Sequence, residues 1–398
     1  MSHSKTWALG AVVVLVLSAC SATPEPTPSP TEPAASPTED ASPAPSPDPT
    51  EEPTPEPEPE PSPQIEEIPE VRVADVSDVV TGLDAPWGLA FLPDGAALVT
   101  ERDTARVYRL DDGELTRLEG EGAAQIEREV VARSEGGLLG IAVSPEFEQD
   151  SAVFVYLTAS DDNRILRLEL DGTELAEGEI VLDGIPKGAN HNGGRLAFGP
   201  GGFLYATTGD TYNTERSQDR DSLGGKILRM TPDGEPAPDN PFDSLVWSYG
   251  HRNVQGLGWA VDGRMFASEF GQDTWDELNL VEPGSNYGWP DVEGEGDGGG
   301  DFVSPLHVWR TSEASPSGLA VTREGVYLAG LRGNTLWRVP LTADGTGEPQ
   351  ALLQDYGRLR AVLEAPDGAL WVLTNNTDGR GSPRSGDDRI LRVEIAPA

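Results

Sequence analysis

The sequence predicts an all-β fold: a six-bladed β-propeller of four-stranded antiparallel blades, preceded by a Pro/Glu-rich linker without fixed structure. Three observations carry this. One hairpin phrase recurs six times, most copies are followed by a third strand of basic-apolar rhythm, and copies lie roughly 40 to 60 residues apart, the spacing of propeller blades. The copies read GLAFLPDGAALVTER from Gly88, GIAVSPEFEQDSAVFVYLT from Gly140, RLAFGPGGFLYATTGD from Arg195, GLGWAVDGRMFASEFG from Gly256, GLAVTREGVYLAG from Gly318 and AVLEAPDGALWVLTN from Ala361. Each joins two apolar runs through a turn, and the second run ends in Thr, Ser or Gly, as a β-hairpin requires. The third strands are RVYRL at Arg106, RILRLEL at Arg164, KILRM at Lys226, TLWRVPL at Thr335 and RILRVEI at Arg389. VRVADVSDVV, Val71 to Val80, precedes the first copy. It is expected to close the ring by pairing with RILRVEI, which covers an otherwise open edge.

The chain before this region has a different character. Lys5, the apolar stretch Ala8 to Leu17 and Leu17-Ser18-Ala19-Cys20 read as a lipoprotein signal peptide over residues 1–20, with Cys20 as the lipidated residue. Cys20 is the only cysteine, so no intrachain disulfide can form. Between Ser21 and Glu70 lie 17 of 35 prolines and 13 acids with no Lys or Arg. Alternating Pro-Glu removes backbone donors and favours an extended, self-repelling chain, so residues 21–68 read as a spacer. Residues 70–398 form the propeller domain. The expected location is outside the cytoplasm, at the membrane only through a lipid on Cys20. The domain carries 56 acids against 27 Lys and Arg. Such a field repels phosphate backbones, which argues against nucleic acid as a partner.

Repeats build a scaffold, and irregular inserts build sites. The longest inserts, 205–255 and 271–316, are rich in Gly, Asp, Asn and Pro. They place the chemistry on one face, around the central channel. His191 stands in Ala-Asn-His-Asn-Gly-Gly-Arg just before the third copy, where small neighbours let a ligand approach. Arg252 and Asn253 offer a guanidinium and an amide in YGHRNVQGL. Asp273, Asp276 and Glu277 crowd what reads as a short loop beside Gly271, suited in composition to a hard cation. Arg358 and Arg360 project to one side of a strand, where they repel unless an anion lies between them. Arg332 stands at a comparable point of blade five. Gly294–Gly300 reads as a mobile loop.

GGLLGIAVSPEF, HNGGRLAFGP, LGGKILRM, YGHRNVQGL and ASEFGQDTWDELNLVEPGSNYGWP together resemble the soluble sugar dehydrogenases that depend on pyrroloquinoline quinone (PQQ). That group includes the glucose/sorbosone and aldose sugar dehydrogenases. The resemblance spans about residues 78 to 396. It implies oxidation of an aldose to its lactone with PQQ and Ca²⁺ as cofactors, and an external electron acceptor, a cytochrome or quinone, as partner. It makes His191 the base and places Arg252 and Asn253 at the quinone. Arg332, Arg358 and Arg360 fall at cofactor carboxylates, and Glu135 also falls at the cofactor. Backbone carbonyls of Gly271 and Gln272 would hold one Ca²⁺, and Glu277 and Tyr287 a second, structural one. The chain departs from the family pattern at four positions. Glu135 stands for Gln, Arg332 for Lys, Asn190 for Asp and Gln272 for Pro. Trp309 is expected at the substrate mouth. A Ca²⁺-dependent lactonase-like propeller and a non-catalytic binding module remain as alternatives, distinguished by whether Arg358, Arg360 and His191 are needed.

Overall fold

A computed structural model describes residues 69–296, 301–343 and 345–398. The signal segment, Cys20, the spacer up to residue 68 and residues 297–300 of the glycine loop lie outside the described residues. Among the described residues, besides a small two-stranded sheet, Leu341–Thr342 with Gly345–Thr346, six antiparallel sheets of four or five strands follow one another along the chain. Each begins with one of the six repeats as its two inner strands: Pro86–Phe91 with Ala97–Glu101, Leu138–Val143 with Ala152–Thr158, Leu196–Phe198 with Leu204–Thr207, Val254–Trp259 with Met265–Glu269, Pro316–Thr322 with Gly325–Gly330, and Leu359–Glu364 with Leu370–Thr374. Two outer strands complete each blade. Blade six takes its fourth strand from the other end of the domain: Val71–Thr81 pairs antiparallel with Arg389–Pro397, from Val71 opposite Pro397 to Thr81 opposite Arg389. The expected closure is present.

The glycine that opens most copies has a steric cause. A Cβ on Gly140 would meet Gly194 O at 2.2 Å, and one on Gly256 would meet Ser317 O at 2.5 Å. Inner strands of consecutive blades therefore crowd backbone against backbone near the axis. The Thr or Ser ending the second run works at the same contact. Thr100 Oγ1 donates to Leu139 O of the next blade at 2.7 Å, and Ser268 Oγ donates to Ser317 O at 2.5 Å. Farther out, apolar faces of neighbouring sheets close on each other. Leu98, Leu118 and Ile126 of blade one and its following helix pack with Leu138, Val155 and Leu166 of blade two. A strand with sheet on both sides can be apolar throughout, and AVFVYLT, Ala152–Thr158, is buried at every residue.

Two expectations change. Asp276 and Glu277 do not lie in a loop: they belong to Trp275–Val281, the third strand of blade four, whose buried acids broke the basic-apolar rhythm. Trp309 does not reach a substrate mouth. It is 5% exposed and packs with Leu278, Leu319 and Val339 between blades four and five, its ring 5.9 Å from that of Trp337.

Candidate active site

A cavity of about 440 Å³ opens at one end of the propeller axis. Its walls include His191, Arg252, Asn253, Glu135, Arg332, Arg358, Arg360 and Gly271, eight residues singled out from sequence and drawn from all parts of the ring. Gln272, Glu277 and Tyr287 do not line it. Glu277 and Tyr287 line a small neighbouring cavity that shares Arg252 and Gly271 with the larger one.

His191 is held from three sides. Its backbone is left-handed, with φ at 58°. The following Gly193 is required, since a Cβ there would meet Thr207 O at 2.4 Å. Asn192 staples the loop, accepting from Gly188 N at 3.0 Å and donating to Gly188 O at 3.0 Å. The ring Nδ1 lies 2.6 Å from Asp210 Oδ1. Asp210 also accepts from the Tyr212 backbone N–H at 2.9 Å and from Trp289 Nε1 at 2.9 Å. Burial pushes the Asp210 carboxyl up, but the His191 contact and these donors outweigh it and hold the group below its ordinary range. An ionised partner on Nδ1 sets the imidazole tautomer and leaves Nε2 for the cavity. Gly209 permits the pairing, because a Cβ there would sit 2.0 Å from His191 O.

Six arginines line the cavity: Arg102, Arg252, Arg332, Arg358, Arg360 and Arg380. Arg102 pairs with Asp103 at 2.6 Å, Arg358 with Asp378 at 3.0 Å and Arg380 with Glu135 at 2.8 Å. Six guanidiniums against three carboxylates leave a surplus of three positive charges. The anion expected between Arg358 and Arg360 is in part the protein's own, since Asp378 Oδ2 also lies 3.9 Å from Arg360. Burial first, and then the charge of Arg102, pulls the Arg360 guanidinium down to about 9. Arg252 Nε and Arg360 Nε are buried with no hydrogen-bond partner among the described residues. Unpaired buried donors beside a surplus of charge suit an anionic guest. Trp87 supplies a flat apolar wall, with the Arg195 and Arg360 guanidiniums 4.2 and 5.9 Å from its ring centre.

The cation positions pass a similar test. Glu293 Oε1 accepts the backbone N–H groups of Gln272, Asp273, Thr274 and Trp275, at 2.8 to 3.1 Å. That anchors the loop while the Gly271 and Gln272 carbonyls accept no hydrogen bond from the described residues. Around Glu277, Asn279 Oδ1 is buried without a hydrogen-bond partner among the described residues. Burial and the nearby charge of Glu269 push the Glu277 carboxyl up to about 8. A divalent cation would relieve both. The Tyr287 hydroxyl is already engaged, donating to Leu280 O at 2.7 Å and accepting from Glu282 N at 2.9 Å, so only its carbonyl is free to serve.

Asp210, Arg102, Arg380, Asp378 and Trp87 were not singled out from sequence. Asp210 had a signal. Leu196 pairs with Ala206 and Ala197 with Tyr205, and extending that register brings Asp210, beyond the second strand, opposite Asn192, the neighbour of His191.

A family model described as Glucose / Sorbosone dehydrogenase matches residues 83–391. The chain belongs to this family. It is 54% identical to a solved structure of the PQQ-bound form of aldose sugar dehydrogenase from Streptomyces coelicolor, with a TM-score of 0.77, covering 82% of this chain and 98% of that one. It is 31% identical to aldose sugar dehydrogenase YliI of Escherichia coli over 76% of this chain and 91% of the relative. Quinoprotein glucose dehydrogenase B of Acinetobacter calcoaceticus is 30% identical over 57% of this chain and 54% of its own length.

Proposed function

We propose that the protein oxidises the anomeric hydroxyl of an aldose to the lactone, using PQQ and Ca²⁺. The observation that carries this reading is the meeting of the His191–Asp210 pair with a triply cationic wall in one cavity. PQQ is a flat tricarboxylate; when bound, it supplies the carbon that accepts the substrate's hydride. Arg332, Arg358 and Arg360 would hold its carboxylates against Trp87, and Asn253 would supply an amide contact. The Gly271 and Gln272 carbonyls would hold the Ca²⁺ that polarises the reacting carbonyl. Glu277, Asn279 Oδ1 and the Tyr287 carbonyl would hold a second, structural ion.

His191 Nε2 takes the hydroxyl proton as a hydride leaves the carbon that bears that hydroxyl, so one proton and one hydride depart, two electrons in all, and a C=O bond forms. Asp210 keeps Nδ1 protonated and stabilises the imidazolium. Arg252 presents donors to the negative charge that develops. The electrons then pass to an external cytochrome or quinone. Dye reduction by the purified domain with glucose, galactose and maltose, with and without PQQ plus Ca²⁺, tests the reading. A PQQ-dependent rate with at least one aldose supports it, and silence with all three overturns it.

The reading extends to location. A lipid on Cys20 and an extended Pro/Glu spacer would hold the domain outside the cytoplasm, clear of the bilayer. Labelling cells with a fatty-acid probe checks this: the label should follow the wild type and be lost in Cys20→Ala.

A further inference from the structure

Glu135 presents a problem that the cofactor reading sharpens. A carboxylate lines a cavity whose expected guest is triply anionic, and it stands beside the base. Its surroundings show what makes it tolerable. Glu135 Oε2 accepts the His191 backbone N–H at 2.9 Å, and Glu135 Oε1 accepts from Arg380 Nη1 at 2.8 Å across 245 residues of sequence. The Glu135 backbone N–H donates to Ala189 O at 3.0 Å, and Ser134 Oγ donates to Asn190 Oδ1 at 2.7 Å. Three contacts thus zip the 134–135 segment to the His191 loop. Arg380 adds a fourth, from the last loop of blade six.

We propose that Arg380 and Glu135 form a positioning pair. Glu135 fixes the left-handed backbone of His191, and Arg380 cancels its charge so that an anionic cofactor can bind beside it. The proposal rests on the PQQ reading above. Arg380 acts through Glu135, so its loss matters because a bare carboxylate is left facing the guest. Removing one partner of a partly buried pair leaves the other uncompensated. Half-exposure of Arg380, at 47%, moderates the effect through solvent screening.

The test is equilibrium titration of Ca²⁺-loaded protein with PQQ, followed by absorbance or by quenching of tryptophan fluorescence, so that it needs no turnover. Arg380→Met is expected to weaken PQQ binding about 10-fold. Glu135→Gln keeps an acceptor for the His191 N–H and is expected to bind PQQ at least as well as wild type. The Arg380→Met/Glu135→Gln double variant is expected to return to within about 3-fold of wild type, because the offending charge has gone. A loop-anchoring role would not be rescued in this way. Wild-type affinity in Arg380→Met, or a double variant as weak as Arg380→Met alone, overturns the pair. Failure of the wild type itself to bind PQQ overturns the cofactor reading and this proposal with it.

Discussion

Among the described residues, two histidine-carboxylate pairs are built to one plan. His191 Nδ1 lies 2.6 Å from Asp210, and His251 Nδ1 lies 2.8 Å from Glu269. In each, the carboxylate stands at or just beyond the end of a hairpin's second strand, and the histidine precedes the first. They differ at the other ring nitrogen. His251 Nε2 meets Ser248 Oγ at 2.8 Å, and its ring is fully buried and stacked on Tyr287 at 4.7 Å. His191 lines the cavity, with Nε2 unclaimed by the described residues. On the proposed reading, the same local device serves architecture where the second nitrogen is covered and chemistry where it is open. A histidine beside a carboxylate is not by itself a base; the role proposed for His191 rests on its free nitrogen at a polar cavity.

The comparison can be broken most directly at His191. His191→Ala should lower kcat by about 10² to 10⁴, the range for a positioned base, while titration shows PQQ still bound. An unchanged kcat would remove the distinction between the pairs. Asp210→Asn should also lower kcat by about 10² or more through the wrong tautomer, with the melting temperature falling only a few degrees.

His251→Ala is expected to do the reverse. It strips Glu269 of a buried partner, a loss of about 3 kcal/mol, seen as a fall in Tm. Glu269 also accepts the Arg252 and Asn253 backbone N–H groups, so some loss of PQQ affinity should accompany it. The kcat of the PQQ-loaded, folded fraction should stay within about 10-fold of wild type, an order or more above that of His191→Ala. A kcat loss equal to that of His191→Ala would make both pairs catalytic.

The smallest expected effect is one of pH. Burial raises the Asp378 carboxyl, but the Arg358 and Arg360 charges more than offset this and hold it below its ordinary range. A carboxyl whose folded pKa is depressed gives stability that is complete above about pH 4 to 5 and lost as pH falls through the folded value. Wild-type Tm should therefore drop more steeply between pH 5 and 3 than that of Asp378→Asn. Parallel curves would show that Asp378 is not a charge partner of the two arginines.

What was legible in the sequence is what short-range physics writes there. Hairpins announce themselves through apolar runs and turn residues because both strands lie within some fifteen residues. The recurring glycine marks where successive blades crowd at the axis, and one edge of the ring pairs the first strand with the last because a closed sheet leaves no open edge. The third strand of blade four lacks the usual rhythm because Asp276 and Glu277 are buried on its opposite faces, Asp276 accepting the Gly271 and Ser315 N–H groups and Glu277 the Gly294 N–H. Trp309, set at a substrate mouth by the family resemblance, packs between sheets instead.

His191, Arg252, Asn253, Arg358 and Arg360 could be named from motifs, and closure of the ring brings them to one cavity. The sequence by itself determined the blades, their number and the residues able to carry charge and protons, because each depends on a few neighbouring positions. Only the tertiary structure decided which charges cancel. Arg380 meets Glu135 and Asp378 sits by Arg358 and Arg360 because loops from different blades converge on the axis, and the balance of charge in a buried cavity is set by distance in space, not along the chain.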